Sequence, residues 1–383
     1  MKTILYLHAG AEMYGADKIL LQLVTGLDKE RFRPIVVLPN DGVLREKLLA
    51  NEIEAYVVPY PILRRKYFTP KGIFSYVSHY KKACKNIINL LHENKIKIDI
   101  IHVNTMAVLE GIYLKKKLNA KLYWHVHEII LSPKPVAEIL KHLVGNYSDE
   151  IIAVSEAVRD NLIYSNKVSS KIQVVYNGID SNKFNPKVDY KYLLNEWKIP
   201  NDSIRVGMIG RVNGWKGQDD FLDATVPLLN KYSNLYLFIV GSAFEGQEWR
   251  VEKLKKRIYE EPNNNRIIYS EYRNDNAAVE NMFNILVLPS TNPDPLPTVV
   301  LEAMGCGKAV VGYRHGGIKE MVVDEWNGLL ATPKSTNDLK QKIDEAIINK
   351  KYEQMGKNSR ERQVKYFSLQ TFIGKFQKLY DKD

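Results

Sequence analysis

Only two cysteines, Cys84 and Cys306, occur in 383 residues. They lie far apart in segments that read as helical, so neither a disulfide framework nor a CxxC metal site is available. Long apolar runs are also missing, and no stretch of about 18 or more apolar residues offers a membrane-spanning helix. The N-terminus, MKTILYLHAGAEMYGADK, enters a strand-like run without a basic region and cleavage site, and a cytoplasmic chain without a leader is expected. There is no short-period repeat and no low-complexity tract. No GxGxxG follows the first strand with an acid at the dinucleotide spacing, which disfavours an NAD-dependent oxidoreductase.

Basic charge is abundant: 55 Lys and Arg against 44 Asp and Glu give a net charge of +11. Such an excess favours an anionic partner, whether nucleic acid, lipid headgroups or a phosphorylated substrate. Without a stacking or zinc module, nucleic acid is not expected. Residues 61–97 concentrate the charge, with nine Lys or Arg (Arg64, Arg65 and Lys66 among them) against Glu93 alone. Within that stretch Val77, Tyr80, Cys84, Ile87, Ile88 and Leu91 share a helical stripe, the pattern of a core-facing helix with a solvated basic side. Contact of Ile73, Phe74, Tyr76 and the Arg64–Lys66 cluster with an anionic membrane surface is the other reading.

Short β-branched runs alternate with helix-length segments along the whole chain, the signature of parallel sheets built from crossover units. Seven strands are expected up to residue 176 and six more between 204 and 331. The stretch Ser181 to Ser203, with Pro186 and Pro200, reads as a linker. The expected architecture is α/β, with Rossmann-like domains at 1–185 and 200–365 and a helix at about 366–383 that returns to the first. Sheets joined in this way place ligands in the cleft outside their strand ends.

Two segments there carry chemistry. Gly210-Arg211-Val212-Asn213-Gly214-Trp215-Lys216-Gly217 follows a strand and precedes a helix; glycines let amides approach an anion, and Arg211 with Lys216 can bridge a diphosphate. The alternative is an ordinary glycine turn with two solvated cations. In Pro289 to Gly307, a proline-rich loop carries Asp294 and a short apolar helix carries Glu302. An acid on such a helix needs a partner, and sugar or ribose hydroxyls are suitable donors; a capping role for Glu302 and a plain loop acid for Asp294 stay open. His125 and His127 alternate onto one strand face, but no third metal ligand is placed by spacing.

Read in order, Gly210-Arg211, Lys216-Gly217, Pro289-Ser290, Asp294, Leu301-Glu302-Ala303-Met304, Gly307, Gly316-Gly317-Ile318-Lys319-Glu320 and Asn327-Gly328 resemble glycosyltransferase family 4 (group 1). The earlier segments Tyr14-Gly15-Ala16-Asp17-Lys18, Val126-His127-Glu128, Ala153-Val154-Ser155-Glu156, and Asn177-Gly178-Ile179-Asp180 with Phe184 resemble it too. The family implies a GT-B fold, with two Rossmann-like domains facing each other across a deep cleft, and retaining transfer from a nucleotide diphosphate sugar to a saccharide hydroxyl without a metal or other cofactor. By that resemblance Arg211 and Lys216 neutralise the diphosphate, Asp294 and the neighbouring loop (Pro295, Leu296, Pro297, Thr298) meet the transferred sugar, and Glu302 holds the ribose. His127 faces the sugar or phosphate, and the Gly10–Gly15 loop approaches the donor phosphate and the acceptor. Asp294 stands where glutamate is usual, Tyr14-Gly15 replaces paired glycines, and Asp17 replaces a common glutamate. A lipid-linked saccharide is the expected acceptor, in bacterial surface-polysaccharide assembly; a non-catalytic two-domain sugar- or nucleotide-binding protein is the alternative.

Overall fold

A computed structural model describes residues 1–13 and 15–382, so Tyr14 of the glycine-replacing pair lies outside the described residues. Two compact units result: Met1–Asn177 with the segment from Phe372 onward, and Gly178–Thr371.

The first unit holds seven strands, β1 (Lys2–Leu7), β2 (Phe32–Leu38), β3 (Glu54–Val57), β4 (Ile100–Val103), β5 (Lys121–Val126), β6 (Glu150–Ala153) and β7 (Ile172–Val174). They form one parallel sheet in the order β3-β2-β1-β4-β5-β6-β7. The second holds β8 (Ile204–Ile209), β9 (Leu235–Val240), β10 (Ile267–Ser270), β11 (Ile285–Leu288), β12 (Ala309–Tyr313) and β13 (Gly328–Ala331). Its sheet is parallel as well, in the order β10-β9-β8-β11-β12-β13. Strands covered on both faces become near-continuous apolar runs, as in Ile4–Leu7 and Ile285–Leu288, which are buried throughout. Each sheet reverses its strand order once, at β1/β4 and at β8/β11, and ligands of open α/β sheets bind outside the strand ends at that point.

The unit boundary falls at Asn177, earlier than the expected 185, and the expected linker belongs to the second unit. That stretch is tied down: Ile179 exchanges backbone bonds with Phe367 and Leu369, and Arg360 donates to the Phe184 carbonyl at 2.8 Å. It also contains a helix, Lys191–Glu196.

The basic segment forms the helix Pro70–Glu93, started by Thr69, whose side chain accepts from the Gly72 amide. Its buried face is Tyr76, Ala83, Cys84, Ile87 and Leu91. Val77, expected on that stripe, is instead 42 % exposed beside Ile73 (56 %) and Phe74 (79 %); Tyr76, stacked edge-on against Tyr67, takes the inward position. The helix Leu369–Asp381 completes the first unit's core, where Tyr380 donates to His102 Nδ1 at 2.7 Å and lies 3.0 Å from the Tyr6 hydroxyl.

Candidate active site

In the second unit the loop after β8 is built by short polar bonds. Asn213 Oδ1 accepts from the amides of Trp215 (3.0 Å) and Lys216 (2.9 Å), a side chain mimicking a turn carbonyl. Gly217 closes the loop at φ +81°, and a Cβ there would lie 1.9 Å from the Pro289 carbonyl oxygen, so only glycine fits. The helix Gln218–Lys231 follows, with no side chain capping its first amides. Lys216 Nζ lies 4.4 Å from the Trp215 ring centroid, and the Arg211 guanidinium carbon 3.4 Å from that of Phe244.

Past β11, next to β8 in the sheet, the loop 289–297 brings Asp294 to Lys216: Nζ to Oδ2 is 2.5 Å, with both side chains largely buried. Gly316, at φ +63°, lets the loop after β12 press against Asp294, and the Gly317 amide donates to the Asp294 carbonyl at 2.8 Å. The segments expected to act together at residues 210–217, 289–302 and 316–317 thus meet at the strand-order reversal. Pro295 and Pro297 have no N–H, so within 295–298 the backbone donors are Leu296 and Thr298, the latter opening the helix Thr298–Gly305. Glu302 is buried on that helix. Behind it lies a carboxyl that sequence reasoning missed: Glu280 is fully buried with both oxygens lacking a hydrogen-bond partner. Burial, then the Glu302 charge, pushes its pKa well above the carboxylate range. Nothing in the sequence around Glu280 marks it, because its helix reads as ordinary.

In the first unit the residues just past β1, β4 and β5 are His8, Asn104 and His127. His8 Nε2 is 2.7 Å from Asp17 Oδ1, Asn104 Nδ2 is 3.0 Å from His8 Nδ1, and His127 Nε2 is 3.1 Å from Asn104 Oδ1. Gly15 opens the helix Gly15–Gly26 that carries Asp17. Glu128 accepts from Thr105 and from the amides of Met106 and His127. Burial pushes His102 and His127 down to about 3. His125 is fully buried with neither ring nitrogen bonded, packed 5.3 Å edge-on from His102 and 4.1 Å from His127. Among the described residues no group of three or more His, Cys, Asp or Glu is placed to hold a metal ion.

The family model for glycosyltransferase family 4 matches residues 13–183 and that for group 1 glycosyl transferases matches 191–362. The chain belongs to the family 4, group 1 glycosyltransferases. This glycosyltransferase is 25% identical over 389 residues to the N,N'-diacetylbacillosaminyl-diphospho-undecaprenol alpha-1,3-N-acetylgalactosaminyltransferase of Campylobacter jejuni, covering 98% of this chain and 97% of the relative. It is 24% identical over 386 residues to the UDP-Gal:alpha-D-GlcNAc-diphosphoundecaprenol alpha-1,3-galactosyltransferase of Escherichia coli, covering 96% and 93%. Among solved structures, Anabaena HepE in complex with UDP matches with a TM-score of 0.85 at 24% identity over the whole of both chains. The fold is GT-B.

Several letters of the family pattern serve the glycosyltransferase fold itself. Ser155 caps the helix Glu156–Leu162 through the Val158 amide at 3.1 Å. Asn327 is buried, accepting from the Val323 amide at 2.7 Å and donating to the Met321 carbonyl at 3.2 Å. Glu320 sits half-exposed on the short helix Ile318–Met321.

Proposed function

We propose that this glycosyltransferase moves a hexose or deoxyhexose from a nucleoside diphosphate sugar to a hydroxyl of a lipid-linked saccharide, with retention of anomeric configuration, in bacterial surface-polysaccharide assembly. The observation that carries the reading is the Lys216–Asp294 pair at the β8/β11 reversal, beside an uncapped helix start suited to an anion. On donor binding Lys216, with Arg211, would turn to the diphosphate and free Asp294 for the sugar hydroxyls, aided by Leu296, Thr298 and the apolar walls of Pro295 and Pro297. Glu302 would take the ribose. His127 and Gly15 are the first unit's proposed contributions to the same donor. Fixed cations stabilise the charge that grows on the leaving diphosphate, so turnover would need no metal or other cofactor.

Support for the substrates comes from relatives: the Campylobacter and Escherichia coli enzymes are named for sugars on undecaprenyl diphosphate, and HepE is crystallised with UDP and with UDP-glucose. A uridine diphosphate sugar is the first donor to try and a thymidine diphosphate deoxyhexose the second. A panel of nucleotide sugars tests the reading by thermal stabilisation, since a ligand at 100 times its Kd adds about 2.7 kcal/mol. No shift with any nucleoside diphosphate would sink it. Proton NMR of the product reports the anomeric configuration, and turnover in chelator tests the metal-free step.

No helix among the described residues is long and apolar enough to cross a membrane. The exposed Ile73, Phe74 and Val77, with Arg64, Arg65 and Lys66 nearby in sequence, favour peripheral contact with the anionic inner face of the cell membrane, where a lipid-linked acceptor would be met. Equal recovery with neutral and anionic vesicles would remove the electrostatic part of this reading.

A further inference from the structure

A feature of the first unit goes unused by the donor chemistry above. His8, Asn104 and Asp17 are all buried and are linked in one line to His127. Each link has a direction. The Asp17 carboxylate can only accept, so the proton between it and His8 sits on Nε2 of the imidazole. Asn104 turns its Nδ2 amine toward His8 Nδ1, 3.0 Å away, and since an amide N–H only donates, that Nδ1 accepts. The other end of the same amide, Oδ1, is thereby aimed at His127 Nε2, 3.1 Å away. An amide oxygen accepts, so His127 must hold its proton on Nε2, and its Nδ1 carries a lone pair.

We infer that Asp17, His8 and Asn104 are positioning residues that fix His127 as the Nε2–H tautomer, so that its Nδ1 offers the bound donor a hydrogen-bond acceptor. The inference rests on the reading of His127 as a donor-sugar contact. A neutral His127 could otherwise adopt either tautomer, presenting a sugar hydroxyl with an N–H in one and a lone pair in the other; a partner on the other ring nitrogen is what selects between them. The remaining surroundings of His8 are compatible. Tyr60 donates to its carbonyl and accepts from its amide, and neither bond involves the ring.

Long-range proton–nitrogen NMR of the 15N-histidine protein, with His127 assigned by the His127→Gln variant, reads the tautomer directly. The expected result is a pyrrole-type Nε2 and a pyridine-type Nδ1 in the wild type. Asn104→Leu removes the link and should give mixed tautomers. Asn104→Asp, whose carboxylate also only accepts, should keep Nε2–H. In donor kinetics Asn104→Leu should lower kcat/KM roughly tenfold, the scale of one hydrogen bond, with Asn104→Asp closer to wild type and UDP affinity unchanged in both. An Nδ1–H tautomer in the wild type, or an unaltered His127 spectrum in Asn104→Leu, overturns the inference without any variant having to be active. Failure of UDP to bind at all would instead strike the diphosphate reading, and the tautomer measurement would still decide this one.

Discussion

In the second unit the residues just past the reversal strands include a cation and a carboxylate held 2.5 Å apart, Lys216 and Asp294. In the first unit the residues just past β1, β4 and β5 are two histidines and an amide, His8, Asn104 and His127, and burial pushes His127 and its neighbour His102 down to about 3. Seven of the eight histidines lie before residue 178. One sheet therefore presents an exchangeable ion pair and the other a directed line of hydrogen bonds. Fixed charge suits a group whose negative charge grows during reaction. A directed line of hydrogen bonds suits a group that must be told apart by where its hydrogens point.

The comparison breaks most severely at Lys216. Lys216→Ala is expected to lower kcat/KM by roughly 10²–10³-fold, the loss found for one oriented stabilising group, and to weaken UDP in calorimetry; unchanged kinetics would falsify the diphosphate assignment. Gly217→Ala tests whether the charged loop is held by backbone fit. With φ at +81° and the Pro289 carbonyl 1.9 Å from the new Cβ, a loss of about 3 kcal/mol in denaturant unfolding is expected. A third test concerns the first unit. Glu110 is fully buried with both oxygens unpartnered, and burial raises its pKa from 4.5 to about 8. A raised folded-state pKa gives stability that is present below 4.5 and is lost as pH rises through 8. Between pH 6 and 8 the wild type should therefore lose about 2 kcal/mol that Glu110→Gln does not lose, read by urea unfolding at the two values. Smallest is Asp294→Glu, which restores the longer side chain usual in the family. It should change donor kcat/KM by less than about tenfold, because one methylene shifts the carboxylate without removing its charge; a loss as large as that of Lys216→Ala would show that the shorter acid is matched to its loop.

How much of this was legible in the letters varies with the physics. The thirteen strands were readable as short β-branched runs between helix-length segments, most plainly where both sheet faces are covered, as at Ile4–Leu7 and Ile285–Leu288. Gly217 and Gly316 were readable as loop residues, yet only coordinates give the carbonyls that forbid a Cβ there. The unit boundary at Asn177 was misplaced because backbone bonds from Ile179 to Phe367 and Leu369 join residues almost 190 positions apart, and no local pattern encodes such a pairing. His127 was singled out by resemblance. His8 and Asn104 were not, since each is an unremarked polar residue after a strand until β1, β4 and β5 are laid side by side. Val77 was misassigned because helical periodicity gives the stripe but not which edge of it meets Tyr67.

The helix Leu369–Asp381 bears on how the chain comes off the ribosome. Tyr380 supplies the hydroxyl for His102 and Tyr6, and Phe372 and Phe376 are buried beside them. The first unit to be translated is therefore the last to be finished: its interior stays open through the making of the whole of 178–371, and translation past residue 380 is what lets it close. A nascent chain halted at 371 would carry a complete second unit behind a first one still missing its final wall.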